Sequence, residues 1–222
     1  MKKMLCFAAA MLLFAACSKD DEESGLPSLP DPNDVCSAMD DLKFMEYCYK
    51  NFDINGDGKV SKAEAEAVRG MDICNYDINS LKGIAYFPNL QALCCPSQDL
   101  TSLDISKNTA LTYLYCSFNE LTSLDISKNT ALTYLNCDDN ELSSLDISKN
   151  TALTELHCSF NKLTSLDISK NTALTWLSCS GNPGDGTTFS VKAWFDNNNI
   201  PEDFETRSWE DDGKSIRISY HK

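Results

Sequence analysis

The sequence predicts a solenoid of stacked coils, each giving one short β-strand to a shared sheet. A helix–loop–helix closes its N-terminal end and a β-hairpin-like cap its C-terminal end. Three observations carry that expectation. Cys95, Cys116, Cys137, Cys158 and Cys179 recur every 21 residues. The segment "ALTYLYCSFNELTSLDISKNT" at 110–130 returns with few changes at 131–151 and 152–172, then breaks off in "ALTWLSCSGNPG" at Gly184. A coil of that length cannot bury its own apolar edge, so neighbouring coils must pool their leucines in one core.

Each copy holds two half-motifs of the same spacing. Leu111, Leu114, Cys116 and Asn119 read LxxLxCxxN, and Leu121, Leu124, Ile126 and Asn129 repeat that pattern ten residues later. This resembles the leucine-rich repeat family, in particular a short bacterial class of 21-residue repeats whose halves look alike. The resemblance covers residues 90–184, and "NLQALCCPSQDLTSLDISKNT" (89–109) is a divergent leading copy. Leu, Leu and Cys then form the inward side of a short strand. Asn119, Asn140, Asn161 and Asn182 turn the chain, their side chains bonding backbone groups that the bend leaves unpaired. Eleven cysteines in a secreted chain first suggest disulfides. Here the period assigns five of them to the core, where a thiol behaves as a small hydrophobe. Pairing of Cys36 with Cys48 stays open. Residues 68–89 read as an irregular first coil with Ile73 in the inward slot.

Residues 35–70 carry a different signal. In "FDINGDGKVSKAE", Asp53, Asn55, Asp57, Lys59, Ser61 and Glu64 stand at positions 1, 3, 5, 7, 9 and 12 of a twelve-residue loop, with Gly58 at position 6. Calcium is a hard cation that takes 6–8 oxygens, and this spacing can supply them. Three side chains, the Lys59 carbonyl and both oxygens of Glu64 would serve, with Ser61 acting directly or through water. The loop is identified as an EF-hand motif with no departure at a ligand position. The flanks agree, "LKFMEYCYKNF" with helical apolar spacing and "KAEAEAVRG" rich in helix formers. One loop alone argues against a paired sensor. Ca2+ is therefore the expected cofactor, clamping two helices as a lid over the first coil.

Residues 1–16 combine two lysines, an apolar run and small residues before Cys17, as a secretory signal does. "FAAC" resembles the lipobox of bacterial lipoproteins, which implies lipidation at Cys17. The following "SKDDEE" resembles the acidic tag of outer-membrane lipoproteins displayed at the cell surface. Residues 17–34 form a Pro-rich acidic tether. The expected location is the outer membrane of a Gram-negative type cell, held by lipid alone and facing outward. The formal net charge is −14, from 33 acidic residues against 19 Lys and Arg. Cleavage before Cys17 would take two lysines and no acid, leaving −16. So acidic a surface argues against nucleic acid as a partner.

Comparison of the copies places the variation on outward strand positions. Tyr113, Tyr134, Glu155 and Trp176 form one row, and Tyr115, Asn136, His157 and Ser178 the next. Strand alternation puts both on the concave surface, where rings offer contact area at low entropy cost. Tyr113, Tyr115, Tyr134, Asn136, Glu155, His157 and Trp176 are thus the candidate ligand residues, for a protein or glycan. With two histidines in the chain and no nucleophile–base constellation, no enzymatic activity is expected. Residues 185–222 supply the cap, through "TFSVKAWF" and "SIRISYH". The body is expected to be monomeric.

Overall fold

The computed structural model describes residues 29–186, 188–195, 199–202, 204–206 and 215–220, the last two stretches beyond Phe204 by backbone alone. Cys17, the signal segment, Trp209 and His221 lie outside the described residues.

The chain winds as a solenoid. Strands β1 (Gly70–Asp72), β2 (Ala92–Cys94), β3 (Tyr113–Tyr115), β4 (Tyr134–Asn136) and β5 (Glu155–His157) follow one another, with β6 (Ser165–Asp167) in the second half of the β5 coil and β7 (Trp176–Ser178) in the next coil. Then come β8 (Thr188–Ala193), β9 (Glu205–Thr206) and β10 (Ser215–Tyr220). Seven strands pair in the order β1-β2-β3-β4-β5-β7-β9, every pair parallel. Parallel pairing is forced here, because each coil returns to the sheet in the same direction. The middle residue of each repeat strand, Leu93, Leu114, Leu135, Leu156 and Leu177, is buried, while its neighbours lie on the open face.

One apolar core runs the length of the stack. Leu111, Leu114, Cys116, Leu121 and Ile126 are fully buried, and so are their counterparts in the next coils. At roughly 1.5–3 kcal/mol for each large apolar side chain, this row dominates stability. The five ladder thiols are buried and unbridged. Burial pushes the Cys116 thiol up to about 12, so the ladder holds neutral thiols. Ile73 takes the ladder slot in the first coil, its N–H bonded to Cys94 O at 2.9 Å as Cys95 N–H is to Tyr115 O at 2.8 Å.

Two asparagine ladders turn the coils. Asn140 Nδ2 donates to the carbonyls of Cys116, Cys137 and Asp138 at 3.0–3.2 Å, and its Oδ1 accepts from Leu121 N–H at 3.0 Å. Asn129 does the same work at the opposite corner, donating to Ile105 O and Asn108 O. Asn108, Asn150 and Asn171 repeat it, all fully buried.

The C-terminal strands correct the expected hairpin. β8 and β10 run parallel, and β8 also pairs in parallel with β6. Between them β9 crosses back to pair with β7 in the long sheet. The parallel pairing of β8, β9 and β10 thus continues the winding of the solenoid rather than reversing it. Phe189, Val191, Ala193 and Phe195 face its core, and Phe195 meets Phe204 with ring centroids 4.8 Å apart.

At the other end, α1 (Leu42–Phe52) and α2 (Lys62–Ala67) sit on the first coil. Phe44, Cys48, Val60 and Ala65 join the same core, and Phe52 packs on Phe87 at 5.6 Å. Asp41 caps α1 and also accepts from Asn79 N–H at 2.7 Å, tying helix to coil. Gly83 lets the coil approach: its φ is 100°, and a Cβ there would stand 2.8 Å from Met39 Cγ. Cys36 and Cys48 are both buried and unbridged.

Candidate functional site

Strand pairing sets the outward residues in two continuous rows. The register aligns Tyr113 with Tyr134, Tyr134 with Glu155, and Glu155 with Trp176. Beside it run Tyr115, Asn136, His157 and Ser178. All are half-buried except Glu155, which is exposed. The side chains organise further than the rows suggest. Tyr113 and Tyr134 stack at 4.4 Å with an interplanar angle of 8°. Where Glu155 interrupts the first row, His157 fills in from the second, 5.6 Å from Tyr134 and 6.2 Å from Trp176. Its Nε2 lies 3.9 Å from the Glu155 carboxylate. The result is one ring surface spanning four coils, with an acid at its middle. Tyr115 and Asn136 border it.

A third row lies at the turn. Ser97, Phe118, Asp139, Phe160 and Gly181 all take positive φ, between 52° and 68°. That conformation is uncommon for a phenylalanine, and Phe118 and Phe160 also stay over half exposed. The ring of Phe160 lies over Gly181, where an added Cβ would meet it at 2.4 Å. Nothing in sequence spacing marks this backbone state, because four residue types share it. Asp138 sits between this row and the strand, its Oδ1 accepting Ser159 N–H at 2.6 Å. Burial pushes its carboxyl up to about 6.

The loop 53–64 joins α1 to α2. Asp53 is its hub, Oδ1 accepting from Gly56 and Asp57 N–H and Oδ2 from Gly58 N–H at 2.8–3.2 Å. Asn55 Oδ1 accepts from Asp57 N–H and Asp57 Oδ1 from Lys59 N–H. Glu64 reaches back, Oε1 accepting from Ile54 and Asn55 N–H at 2.9 and 3.2 Å. Ser61 and Glu64 form a reciprocal capping box at the start of α2, and those bonds hold the Glu64 carboxyl below its usual range. Gly56 and Gly58 take the positive φ that the tight turn demands. Lys59 Nζ turns away to Asp31 at 2.9 Å. The donors are all oxygen, and three are carboxylates, a set that suits a hard cation. Their carboxylates do not gather as a group within 4.8 Å of one another; they bond loop amides instead.

No protein-family model matches the chain, and no curated protein does. Among solved structures, the chain is similar to the functional domain of InlJ from Listeria monocytogenes, a structure that includes a cysteine ladder. Identity is 30%, the TM-score is 0.67, and the match covers 86% of this chain and 44% of that one. It is also similar to the internalin InlF of Listeria monocytogenes, at 22% identity and a TM-score of 0.63, over 76% of this chain and 54% of that one. The protein is thus a leucine-rich repeat solenoid, the fold of these bacterial proteins. It spans under half the length of the first and about half of the second.

Proposed function

We propose that this protein is a lipid-anchored surface binding protein whose long sheet captures a protein or glycan ligand. The observation that carries this reading is the ring surface Tyr113–Tyr134–His157–Trp176, half-buried and continuous across four coils. Rigid rings on a rigid sheet contribute contact area at little conformational cost, and the stack pre-organises them. Internalin-type neighbours with the same fold support a protein ligand over a glycan. Lipid on Cys17 would hold the body at the outer membrane, facing outward. In the loop, Asp53, Asn55, Asp57, the Lys59 carbonyl, Ser61 and Glu64 would hold Ca2+. The ion would draw the three carboxylates together, neutralise them and lock α1 to α2.

The test is to probe protein and glycan arrays with residues 25–222, then repeat it with Tyr113, Tyr115 and Trp176 changed together to Ala. Loss of the captured ligand with an unchanged circular dichroism spectrum is expected. Equal capture by both proteins, or no ligand on any array, favours a surface spacer without a discrete ligand.

A further inference from the structure

Asp72, Cys74 and Cys94 belong neither to the cysteine ladder nor to the ring surface. A carboxylate oxygen and two Sγ atoms from these residues all lie within 4.8 Å of one another. Asp72 and Cys94 are direct partners across the β1–β2 pair. They head the outward row that continues as Tyr115, Asn136 and His157. Cys94 therefore points away from the core that its neighbour Cys95 fills, although only 4% of it is exposed. Cys74 is half-buried and Asp72 exposed, so the cluster opens to solvent on one side.

The carboxylate is already oriented. Asp72 Oδ1 accepts Cys74 N–H at 3.2 Å, and Asp72 N–H donates to Tyr47 Oη at 3.1 Å, which ties the cluster to α1. Zinc bonds thiolate at ~2.3 Å and carboxylate at ~2.0–2.2 Å, so a tetrahedral ion sets such ligand atoms ~3.6–3.8 Å apart. Side-chain rotation of about 1 Å is enough to reach that spacing from the observed one. A disulfide would join the two sulfurs but give the Asp72 carboxylate nothing beyond its bond to Cys74 N–H. The shared closeness of all three atoms is what an ion accounts for.

We propose that Asp72, Cys74 and Cys94 form a site for a zinc-class divalent cation, with a fourth position open on the sheet side. Both thiols release their protons to solvent as the ion binds. Thiolate ligands choose such a metal over calcium, so this site is independent of the loop at 53–64.

The experiment titrates the full-length chain, reduced and stripped of metal, with zinc alone in a buffer holding millimolar calcium. One equivalent of zinc is expected, read by competition with a chromogenic chelator. Cobalt(II) in its place is expected to give a thiolate-to-metal absorption band. Cys74→Ser and Asp72→Asn, both at solvent-accessible positions, are expected to fold normally and to lose the bound equivalent. Cys94→Ser is expected to lose it too, and its folding is not needed for the conclusion. Zinc uptake by Cys74→Ser equal to that of the parent overturns the proposal. So does a Cys74–Cys94 disulfide in the protein as secreted.

Discussion

At the scale of single residues, the repeat explains most positions and singles out a few that break it. Asp104, Asp125, Asp146 and Asp167 look like a charge ladder, but each bends onto the N–H of the serine two residues on, at 2.9–3.0 Å. They are turn residues first. Asp167 also pairs with Lys192 at 2.7 Å; burial pushes its carboxyl up, yet this cation and the Ser169 bonds bring it down to about 2. Asp138 breaks the pattern in the other direction, a carboxylate where Ser117 and Ser159 stand in adjacent coils. Its carboxyl, ordinarily near 3.8, is raised to about 6 by burial. Folding then favours the protonated form, so its contribution is fully present below pH ~4 and is lost as pH rises through ~6. Asp138→Asn keeps an acceptor for Ser159 N–H and removes the charge. The variant is expected to gain about 1 kcal/mol over the parent at pH 7, allowing for solvent screening at a partly exposed group, and nothing at pH 4. Urea unfolding of both proteins from pH 4 to 7 checks this; parallel curves across that range would refute it.

The elements differ in how far spacing reveals them. The helix over 42–52 follows from its apolar period and the Asp41 cap, and the repeat strands from Leu and Cys alternation. The C-terminal pair looks like a hairpin because two alternating segments flank a loop. Only the strand pairing shows that β9, between them in sequence, joins the long sheet while β10 runs parallel to β8. The outward rows were legible as rows, whereas His157 bridging the gap at Glu155 was not, since it depends on side-chain direction between two rows. Asp72 and Cys94 were hidden for a related reason: apolar spacing already put Ile73 rather than Cys74 in the inward slot of the first coil, but the pairing of Asp72 with Cys94 appears only in the strand register. For the loop at 53–64, calcium at tenfold its dissociation constant should add ~1.4 kcal/mol. That corresponds to a rise in Tm of ~3–6 °C for a domain of this size. Glu64→Gln should abolish the rise. Scanning calorimetry with calcium and with chelator measures it, and an identical midpoint in both would end the idea of a calcium clamp.

For the molecule as a whole, the proposed function follows from one geometric fact. Each coil turns Leu and Cys to the inside and, by alternation, offers its variable residues on the opposite face of the same strand. The ring surface, the thiol–carboxylate cluster and the helical lid all take their places from that stack. The acidic composition argues against nucleic acid and anionic lipid as partners, and in the proposed reading the rings are the main contact surface. The most direct check is alkylation of the native, metal-free protein with a charged, water-soluble thiol reagent, read by peptide mass spectrometry. Cys74 should be modified promptly, while Cys95, Cys116, Cys137, Cys158 and Cys179 stay untouched until denaturant is added. Prompt modification of those five in the folded chain would contradict the stacked, dry interior on which every other assignment rests.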